Sequence, residues 1–230
     1  MAVRIFLNGS TGRMGQAIQT VAEKDDDILL QPAISSRDPE SVASAMADCD
    51  VVIDFTHRSL SAALAHACAA SGKPLVMGTT GQTSEELEAI RACALKNPTV
   101  LASNFSVDIP LLRHFVREYL RILGTNVTVR IEEAHHSAKL DAPSGTAKSL
   151  AALIKGITGK PVPIQSVREG QIIGIHTVLF TEGREELRLT HEVKDRSTFA
   201  AGALRAARWV VSQPSGLYDM EDVLGLHKNW

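Results

Sequence analysis

The sequence lacks the features that mark several common functional classes. It has only three cysteines, Cys49, Cys68 and Cys93, and no CxxC pair, which is typical of a reduced cytosolic protein. Its 24 basic and 26 acidic residues give a net charge of −2, so charge does not favour nucleic acid or an anionic membrane as a partner. No apolar run approaches the roughly 20 residues of a membrane span, and the first residues do not show the basic and apolar regions typical of a signal peptide. These absences predict a soluble, cytoplasmic protein without nucleic-acid or membrane partners.

The first half of the chain has the pattern of a nucleotide-binding fold. A strand at residues 3–7 leads into Gly9, Gly12 and Gly15, spaced GxxGxxG, and then into a helix. In this order the glycines permit a tight turn, a close approach of the backbone to a pyrophosphate, and close packing of helix on strand. Apolar strands then alternate with helices as far as residue 102, the pattern of a parallel sheet covered on both faces. We predict a Rossmann-type α/β domain; a purely structural turn at the glycines is the alternative.

Three polar loops follow successive predicted strands, at residues 54–56, 78–81 and 103–106. Ligands of such sheets bind beyond the carboxyl ends of the strands, so these loops are expected to line one crevice. The predicted second strand, residues 28–34, does not end in the acidic residue that usually holds the ribose of NAD. Ser35, Ser36 and Arg37 follow it, and they suit a 2′-phosphate better. The alternative is that Arg37 is only a solvated side chain and that Asp38, slightly further on, holds the ribose. We therefore expect NADPH to be favoured, with NADH also used.

The second half of the chain predicts a different domain. Strands at residues 172–180 and 186–193 with a turn at 181–184 indicate a mostly antiparallel sheet, and residues 186–193 alternate between buried and solvated positions. A later helix containing Phe199 and Val210 would return the chain to the nucleotide domain. The predicted domains are 1–105 with 197–230, for the dinucleotide, and 106–196, an α+β domain for substrate binding and oligomerisation.

Residues 132–147 hold the candidate catalytic chemistry. They complete a strand, form a loop, and begin a helix for which Ser144 is the expected N-cap. The backbone N–H groups of Gly145 and Thr146 would then be free donors at a helix N-terminus, which binds carboxylate or phosphate. This predicts a pocket for a small acidic substrate.

Lys139 and the tandem histidines in the same loop could supply a cation and a proton near neutral pH. Tandem histidines at a strand end point to opposite faces, so a structural role for His136 stays open. A zinc site has little support, because no third Cys or His ligand lies at a usual spacing and Lys139 is a poor neighbour for a cation. We expect no metal.

The assembled motifs resemble the dihydrodipicolinate reductase family, also described as 4-hydroxy-tetrahydrodipicolinate reductase. The resemblance covers nearly the whole chain. Its motifs are GSTGRMG at residues 9–15, VVIDFT at 51–56, GTTG at 78–81, NFS at 104–106, EAHHSAKLDAPSGTA at 133–147, REG at 168–170, GIH at 174–176, RSTF at 196–199 and GA at 202–203.

The resemblance implies reduction of 4-hydroxy-tetrahydrodipicolinate with NAD(P)H in the diaminopimelate route to lysine, by a cytoplasmic homotetramer assembled through the open sheet. It implies that His135 is the general acid/base, that Lys139 is a proton donor, and that His136, Gly145 and Thr146 contact the substrate. The candidate cofactor contacts are Gly9, Ser10, Thr11, Gly12, Arg13, Met14, Ser35, Ser36, Arg37, Phe55, Gly78, Thr79, Thr80, Ala102, Ser103, Asn104, Phe105 and Arg196.

Two alternatives to this function stay open. Another nicotinamide enzyme of the same architecture, such as an amino-acid dehydrogenase, would not need the motif that runs from the lysine to Gly145 and Thr146. A non-catalytic dinucleotide sensor would bind NAD(P)H without turnover. The chain departs from the family at two positions, where Ser103 replaces a usual proline and Asp108 replaces a usual glycine. Asp108 is the only support for the sensor.

Overall fold

The computed structural model describes residues 2–31 and 39–226, so the predicted ribose contacts Ser35, Ser36 and Arg37 lie outside the described residues. The chain forms two compact units, Met1–Val107 with Ser197–Trp230, and Asp108–Arg196. The predicted domains differ from these units by two residues. None of the helices in the described ranges has the length and apolar content needed to cross a bilayer.

The elements are numbered along the chain. The strands are β1 Val3–Asn8, β2 Ile28–Leu30, β3 Val51–Asp54, β4 Leu75–Met77, β5 Pro98–Leu101, β6 Thr128–His135, β7 Ile164–Arg168, β8 Gly174–Glu182, β9 Glu185–Val193 and β10 Gly216–Tyr218. The α-helices are α1 Arg13–Ala22, α2 Pro39–Asp48, α3 Ser61–Ser71, α4 Ser84–Ala94, α5 Asp108–Leu123, α6 Gly145–Thr158, α7 Ser197–Val210 and α8 Met220–Leu224. A 3₁₀ turn, Arg58–Leu60, precedes α3.

The first unit is built on a six-stranded parallel sheet with the strand order β10-β5-β4-β3-β1-β2. Each face of this sheet carries its own apolar core. Ile5 and Leu7 of β1 belong to the core that includes α1 and α7, whereas Phe6 belongs to the core that includes α3 and α4. Because both faces are covered, the strands are continuous apolar runs rather than alternating ones. The predicted doubly wound parallel sheet is confirmed.

Two edges of this sheet differ from the sequence prediction. The predicted strand 28–34 is described only as far as Gln31, and its regular part ends at Leu30. The three-residue strand β10 joins the opposite edge beside β5, and the sequence analysis did not predict it. A strand of three residues is too short for a periodic signal.

The second unit has a four-stranded mixed sheet with the order β7-β6-β8-β9. β6 pairs with β8, and β8 with β9, in antiparallel fashion, while the unpredicted strand β7 runs parallel to β6. Helices α5 and α6 contribute to one apolar core with a single face of this sheet. Leu187 is one of the positions that the alternation of residues 186–193 predicts to be buried. It is 39% exposed because β9 is an edge strand with a neighbour on one side only.

Candidate functional site

The glycine turn after β1 has the form expected of a dinucleotide loop. Gly9 has φ +91°, and a Cβ there would lie 2.6 Å from the Phe55 carbonyl oxygen. A Cβ on Gly15 would lie 2.2 Å from the Gly9 carbonyl oxygen, which confirms that Gly15 permits close packing of α1 on the strand. The N-cap of α1 is Gly12, whose lack of a side chain leaves the first N–H groups of the helix to a ligand. This turn fits a pyrophosphate at a helix N-terminus.

The buried carboxylate of Asp54 accepts hydrogen bonds from polar side chains at the ends of three adjacent strands. Its Oδ1 accepts from Asn8 Nδ2 at 2.8 Å and from Thr56 Oγ1 at 2.8 Å, and its Oδ2 accepts from Thr79 Oγ1 at 2.5 Å. Burial raises the pKa of Asp54, and these hydrogen bonds oppose that effect. Thr79 also accepts from the Thr56 backbone N–H at 2.9 Å. The carboxylate therefore sets the shape of the loop that contains the predicted cofactor contact Thr79, a role that the sequence analysis did not assign.

Other predicted cofactor contacts lie close together in the first unit. The rings of Phe55 and Phe105 lie edge to face with centroids 5.5 Å apart, and a Cβ on Gly78 would lie 2.2 Å from the Phe55 ring. Asn104 Oδ1 accepts from the Ser106 N–H at 2.8 Å and so shapes its own loop. The remaining predicted contacts of the first unit are the buried Ser10, the half-buried Met14 and Ala102, and the exposed Thr11, Arg13, Thr80 and Ser103.

The second unit holds the predicted acid/base residue. Glu133 and His135 project from the same face of β6 because they are two residues apart. Glu133 Oε2 lies 2.5 Å from His135 Nδ1, and both side chains are buried. Arg168 of β7 donates from Nη1 to Glu133 Oε2 at 3.1 Å and from Nη2 to Oε1 at 2.8 Å. The structure thus places His135 beside an ion pair that the sequence analysis did not predict.

Helix α6 begins as predicted. Ser144 is its N-cap, and Ser144 Oγ accepts from the Ala147 N–H at 3.2 Å. The same Oγ lies 3.1 Å from Nε2 of the buried His176 on β8. At the first two helical positions Gly145 is exposed, with open space where a Cβ would be, and Thr146 is buried. The helix end therefore offers an approachable backbone at Gly145.

Lys139 lies in the loop between β6 and α6 and donates to Asp141 Oδ1 at 2.7 Å. Arg168 Nη2 donates to the carbonyl oxygen of Asp141 at 2.6 Å, so the loop is anchored to the same guanidinium that holds Glu133. His136, the second of the tandem histidines, is half-buried, and its carbonyl oxygen accepts from the Lys139 N–H at 3.0 Å. The second unit thus brings the predicted catalytic and substrate residues into one region.

Arg196 is the last residue of the second unit and is half-buried. The other predicted cofactor contacts within the described ranges belong to the first unit.

The charges of this region are set by burial and by the ion pair. Burial alone would raise the pKa of Glu133, but hydrogen bonds that include those from Arg168 and His135 lower it to about 2. Burial lowers the pKa of His135, while Glu133 raises it and the charges of Lys139 and Arg168 lower it, with a net decrease. Burial also lowers the pKa of His176 to about 3. At neutral pH Glu133 is therefore an anion and His176 is neutral.

The structure places a further potential metal ligand, His176, near His135, although the spacing of these residues in the sequence did not indicate it. Glu133, His135 and His176 each offer a ligand atom, and these atoms lie within 4.8 Å of one another. However, Arg168 donates to both oxygens of Glu133, so a cation would have to displace those bonds and lie beside a fixed positive charge. The donor arrangement therefore disfavours a metal ion here.

Comparison with known proteins gives a consistent relationship over the whole chain. The family profile "Dihydrodipicolinate reductase, N-terminus" matches residues 3–105, and "Dihydrodipicolinate reductase, C-terminus" matches residues 108–224. The 4-hydroxy-tetrahydrodipicolinate reductase of Akkermansia muciniphila is 40% identical over 245 residues, covering 97% of this chain and 98% of the relative. That of Myxococcus xanthus is 37% identical over 268 residues, covering 98% and 99%.

Solved structures support the same fold. A dipicolinate-bound dihydrodipicolinate reductase from Paenisporosarcina sp. TG-14 has a TM-score of 0.79 at 24% identity and covers 95% of this chain and 98% of its own. An amine dehydrogenase from Mycobacterium smegmatis has a TM-score of 0.65 at 13% identity, with 96% of each chain covered. At these identities the likeness concerns the fold alone.

Proposed function

This chain belongs to the dihydrodipicolinate reductase family, and from that premise we propose that it carries out the NAD(P)H-dependent reduction of 4-hydroxy-tetrahydrodipicolinate to tetrahydrodipicolinate, a step of the diaminopimelate route to lysine. The observation that carries this proposal is the grouping of His135, Lys139 and the N-terminus of α6 in one unit of a chain that aligns with its relatives over almost its full length.

We assign the proton chemistry to His135 and Lys139. Loss of the 4-hydroxyl group as water converts the substrate into a conjugated cyclic imine. When bound, the reduced nicotinamide would supply the hydride for C4 of that ring. The ring then holds one extra electron pair and needs one proton, which His135 can give once it is protonated. Lys139 pairs with the exposed Asp141, and such exposed ion pairs are weak, so the ammonium group can turn toward the substrate and act as a second proton donor.

The dicarboxylate substrate is assigned to the loop and helix end that follow β6. A carboxylate at the N-terminus of α6 would accept from the backbone N–H groups of Gly145 and Thr146 and would be stabilised by the helix dipole. His136 is the third proposed contact. The dipicolinate named with the Paenisporosarcina sp. TG-14 structure is a ligand of this chemical class.

For the cofactor we propose dual use with NADPH ahead of NADH. The support is in the sequence: Ser35 and Ser36 stand where a carboxylate would repel a 2′-phosphate, and Arg37 can form charge-assisted hydrogen bonds with that phosphate. Salt screening at an exposed site would keep the preference modest.

A homotetramer in the cytoplasm completes the proposal. Helices α5 and α6 pack on one face of the second sheet, and on the other face Arg130 and Arg188 both pair with Glu186. That open face is the proposed assembly surface. Three buried free cysteines are in keeping with a reducing compartment.

The sensor alternative loses its only support. Asp108 is the first residue of α5, where a carboxylate is favourable for the helix dipole, so its presence has a structural explanation.

The test is a turnover assay that follows NADPH and NADH oxidation separately with freshly made substrate. The wild-type protein should oxidise both cofactors, and His135→Gln should lower kcat by about 10²–10⁴-fold without changing cofactor affinity. Thr146→Val should mainly raise KM for the substrate. A wild-type protein that binds NADPH but does not turn over would contradict the proposal and support a sensor.

A further inference from the structure

We propose that Glu133 and Arg168 form a positioning pair that holds His135 in the tautomer and orientation required for proton transfer and links it to the substrate end of helix α6. This inference rests on the proposed function, because it assigns a role to two residues that act through His135. Neither residue is among the contacts that the sequence analysis assigned.

Glu133 is a carboxylate with a side chain that is 0% exposed. An ionised carboxylate in such a place is costly unless it is paired and hydrogen-bonded. It receives hydrogen bonds from three different elements, from His135 on β6, Arg168 on β7 and the backbone of Ser144 before α6. These contacts fix the carboxylate in one orientation.

The orientation of Glu133 determines which nitrogen of His135 takes part in chemistry. An ionised carboxylate only accepts hydrogen bonds, so His135 Nδ1 must carry the hydrogen that it donates to Glu133 Oε2 at 2.5 Å. In the neutral ring this leaves Nε2 without a hydrogen, ready to take up a proton and give it to a substrate. Gly174 keeps the space beside that nitrogen free, because a Cβ there would lie 3.2 Å from Nε2.

Arg168 keeps Glu133 in the state that this role requires. Its guanidinium donates to both carboxylate oxygens, at 2.8 and 3.1 Å, and so stabilises the anion and prevents the carboxylate from rotating. Because the hydrogen bonds from Arg168 help to keep the pKa of Glu133 low, the carboxylate does not take the proton of His135. Arg168 and His135 are register partners on β7 and β6, so the sheet itself sets their spacing.

The same carboxylate also reaches the substrate end of the site. Glu133 Oε1 accepts from the Ser144 N–H at 3.3 Å, immediately before the proposed carboxylate-binding residues Gly145 and Thr146. Lys139, the other proposed proton donor, is connected to the same ion pair. Its partner Asp141 accepts a hydrogen bond from Arg168 through its carbonyl oxygen. One buried ion pair thereby fixes the proton donor relative to the substrate anchor.

A purely structural ion pair would show the same distances, so the test must separate the two roles. We would compare Glu133→Gln, His135→Gln and the double variant with the wild-type protein, and use Glu169→Gln as the control. Glu169 follows Arg168 in the chain, and its side chain is exposed. A residue that acts through His135 should lose its effect when His135 is absent.

We expect Glu133→Gln to lower kcat by about 10–100-fold, with a smaller change in KM, since oriented acid/base groups supply about 10²–10⁴-fold in rate. In the His135→Gln background the same change should alter kcat by less than about twofold. Loss of the carboxylate should also lower the pKa of His135, so the fall in kcat at high pH should move to lower pH. Glu169→Gln should leave kcat and the pH profile unchanged.

The proposal is overturned if Glu133→Gln lowers kcat by the same factor with and without His135, or if its pH profile matches that of the wild-type enzyme. If Glu133→Gln does not fold, Arg168→Lys serves as the second variant, because it keeps the charge but loses the two-pronged contact, and the same dependence on His135 is expected. An NMR spectrum of the histidine ring nitrogens gives a readout that does not need turnover. It should show a hydrogen-bonded His135 Nδ1–H in wild-type protein and in Glu169→Gln, but a shifted one in Glu133→Gln and Arg168→Lys. A wild-type protein without turnover but with this signature would contradict the proposed function and leave the positioning pair intact.

Discussion

Binding of a dicarboxylate should add a proton to His135. Burial lowers the pKa of this histidine from its usual 6.5, so less than roughly a quarter of the molecules carry the proton at pH 7 before the ligand binds. A bound dianion beside the ring favours the charged imidazolium and raises its pKa again. A larger fraction of the His135 rings would then be protonated at the moment when the ring must act as an acid.

The size of this effect follows from the two protonation states. Since the protonated fraction is less than roughly a quarter in the free protein and rises on binding, we expect net uptake of at most about one proton per site at pH 7. Because the complex holds more protons than the free protein, affinity for the dianion should fall as the pH rises from the pKa of the free histidine to that of the complex.

The assay is calorimetric titration with pyridine-2,6-dicarboxylate in the presence of NADPH, in two buffers with different ionisation enthalpies. The difference between the two apparent enthalpies gives the number of protons taken up. His135→Gln is the control and should abolish the uptake. Binding without proton uptake by the wild-type protein, or with equal uptake by the variant, would refute the assignment of His135 as the group that is charged.

Three further substitutions test the dinucleotide unit. Gly202→Ala would place a Cβ 1.7 Å from the Phe105 carbonyl oxygen, so overpacking should cost about 1–3 kcal/mol and lower Tm by roughly 2–4 °C per kcal/mol, measured by calorimetry. Thr79→Val removes a hydrogen bond from the buried Asp54 carboxylate, at a cost of about 1–3 kcal/mol, and should raise the NADPH Kd in a fluorescence titration; an unchanged Kd would separate this network from cofactor binding. Arg37→Ala should raise the NADPH Kd about tenfold and spare NADH, and equal weakening of both would show that Arg37 does not contact the 2′-phosphate.

Local chemistry made part of this protein predictable from its sequence. Gly9 must adopt a positive φ, Ser144 caps the helix that follows it, and Gly15 lies where a strand and a helix pack closely. Each of these features depends on a few neighbouring residues, and the structure confirms them. The alternation of apolar strands and helices likewise specified the parallel sheet, because continuous apolar strands need cover on both faces.

The residues that the sequence analysis did not assign are brought together only by strand pairing. Arg168 is 35 residues from Glu133 in sequence, and it reaches the carboxylate because β7 pairs with β6. The strand β7 itself was not predicted. His176 lies opposite Glu133 because of the register in which β8 pairs with β6. Two signals were available. The two-residue spacing of Glu133 and His135 puts both on one face of a strand, and Arg168 and His176 belong to the REG and GIH motifs.

The most direct test of the proposed chemistry is transfer of a labelled hydride. NADPH carrying deuterium at the transferable C4 position of its nicotinamide would be incubated with the wild-type protein and freshly made 4-hydroxy-tetrahydrodipicolinate, and the product would be analysed by NMR. The account predicts tetrahydrodipicolinate with one deuterium at ring C4, formed in proportion to the NADPH consumed, and little of it with His135→Gln. Product without deuterium, or NADPH consumption without tetrahydrodipicolinate, would contradict it.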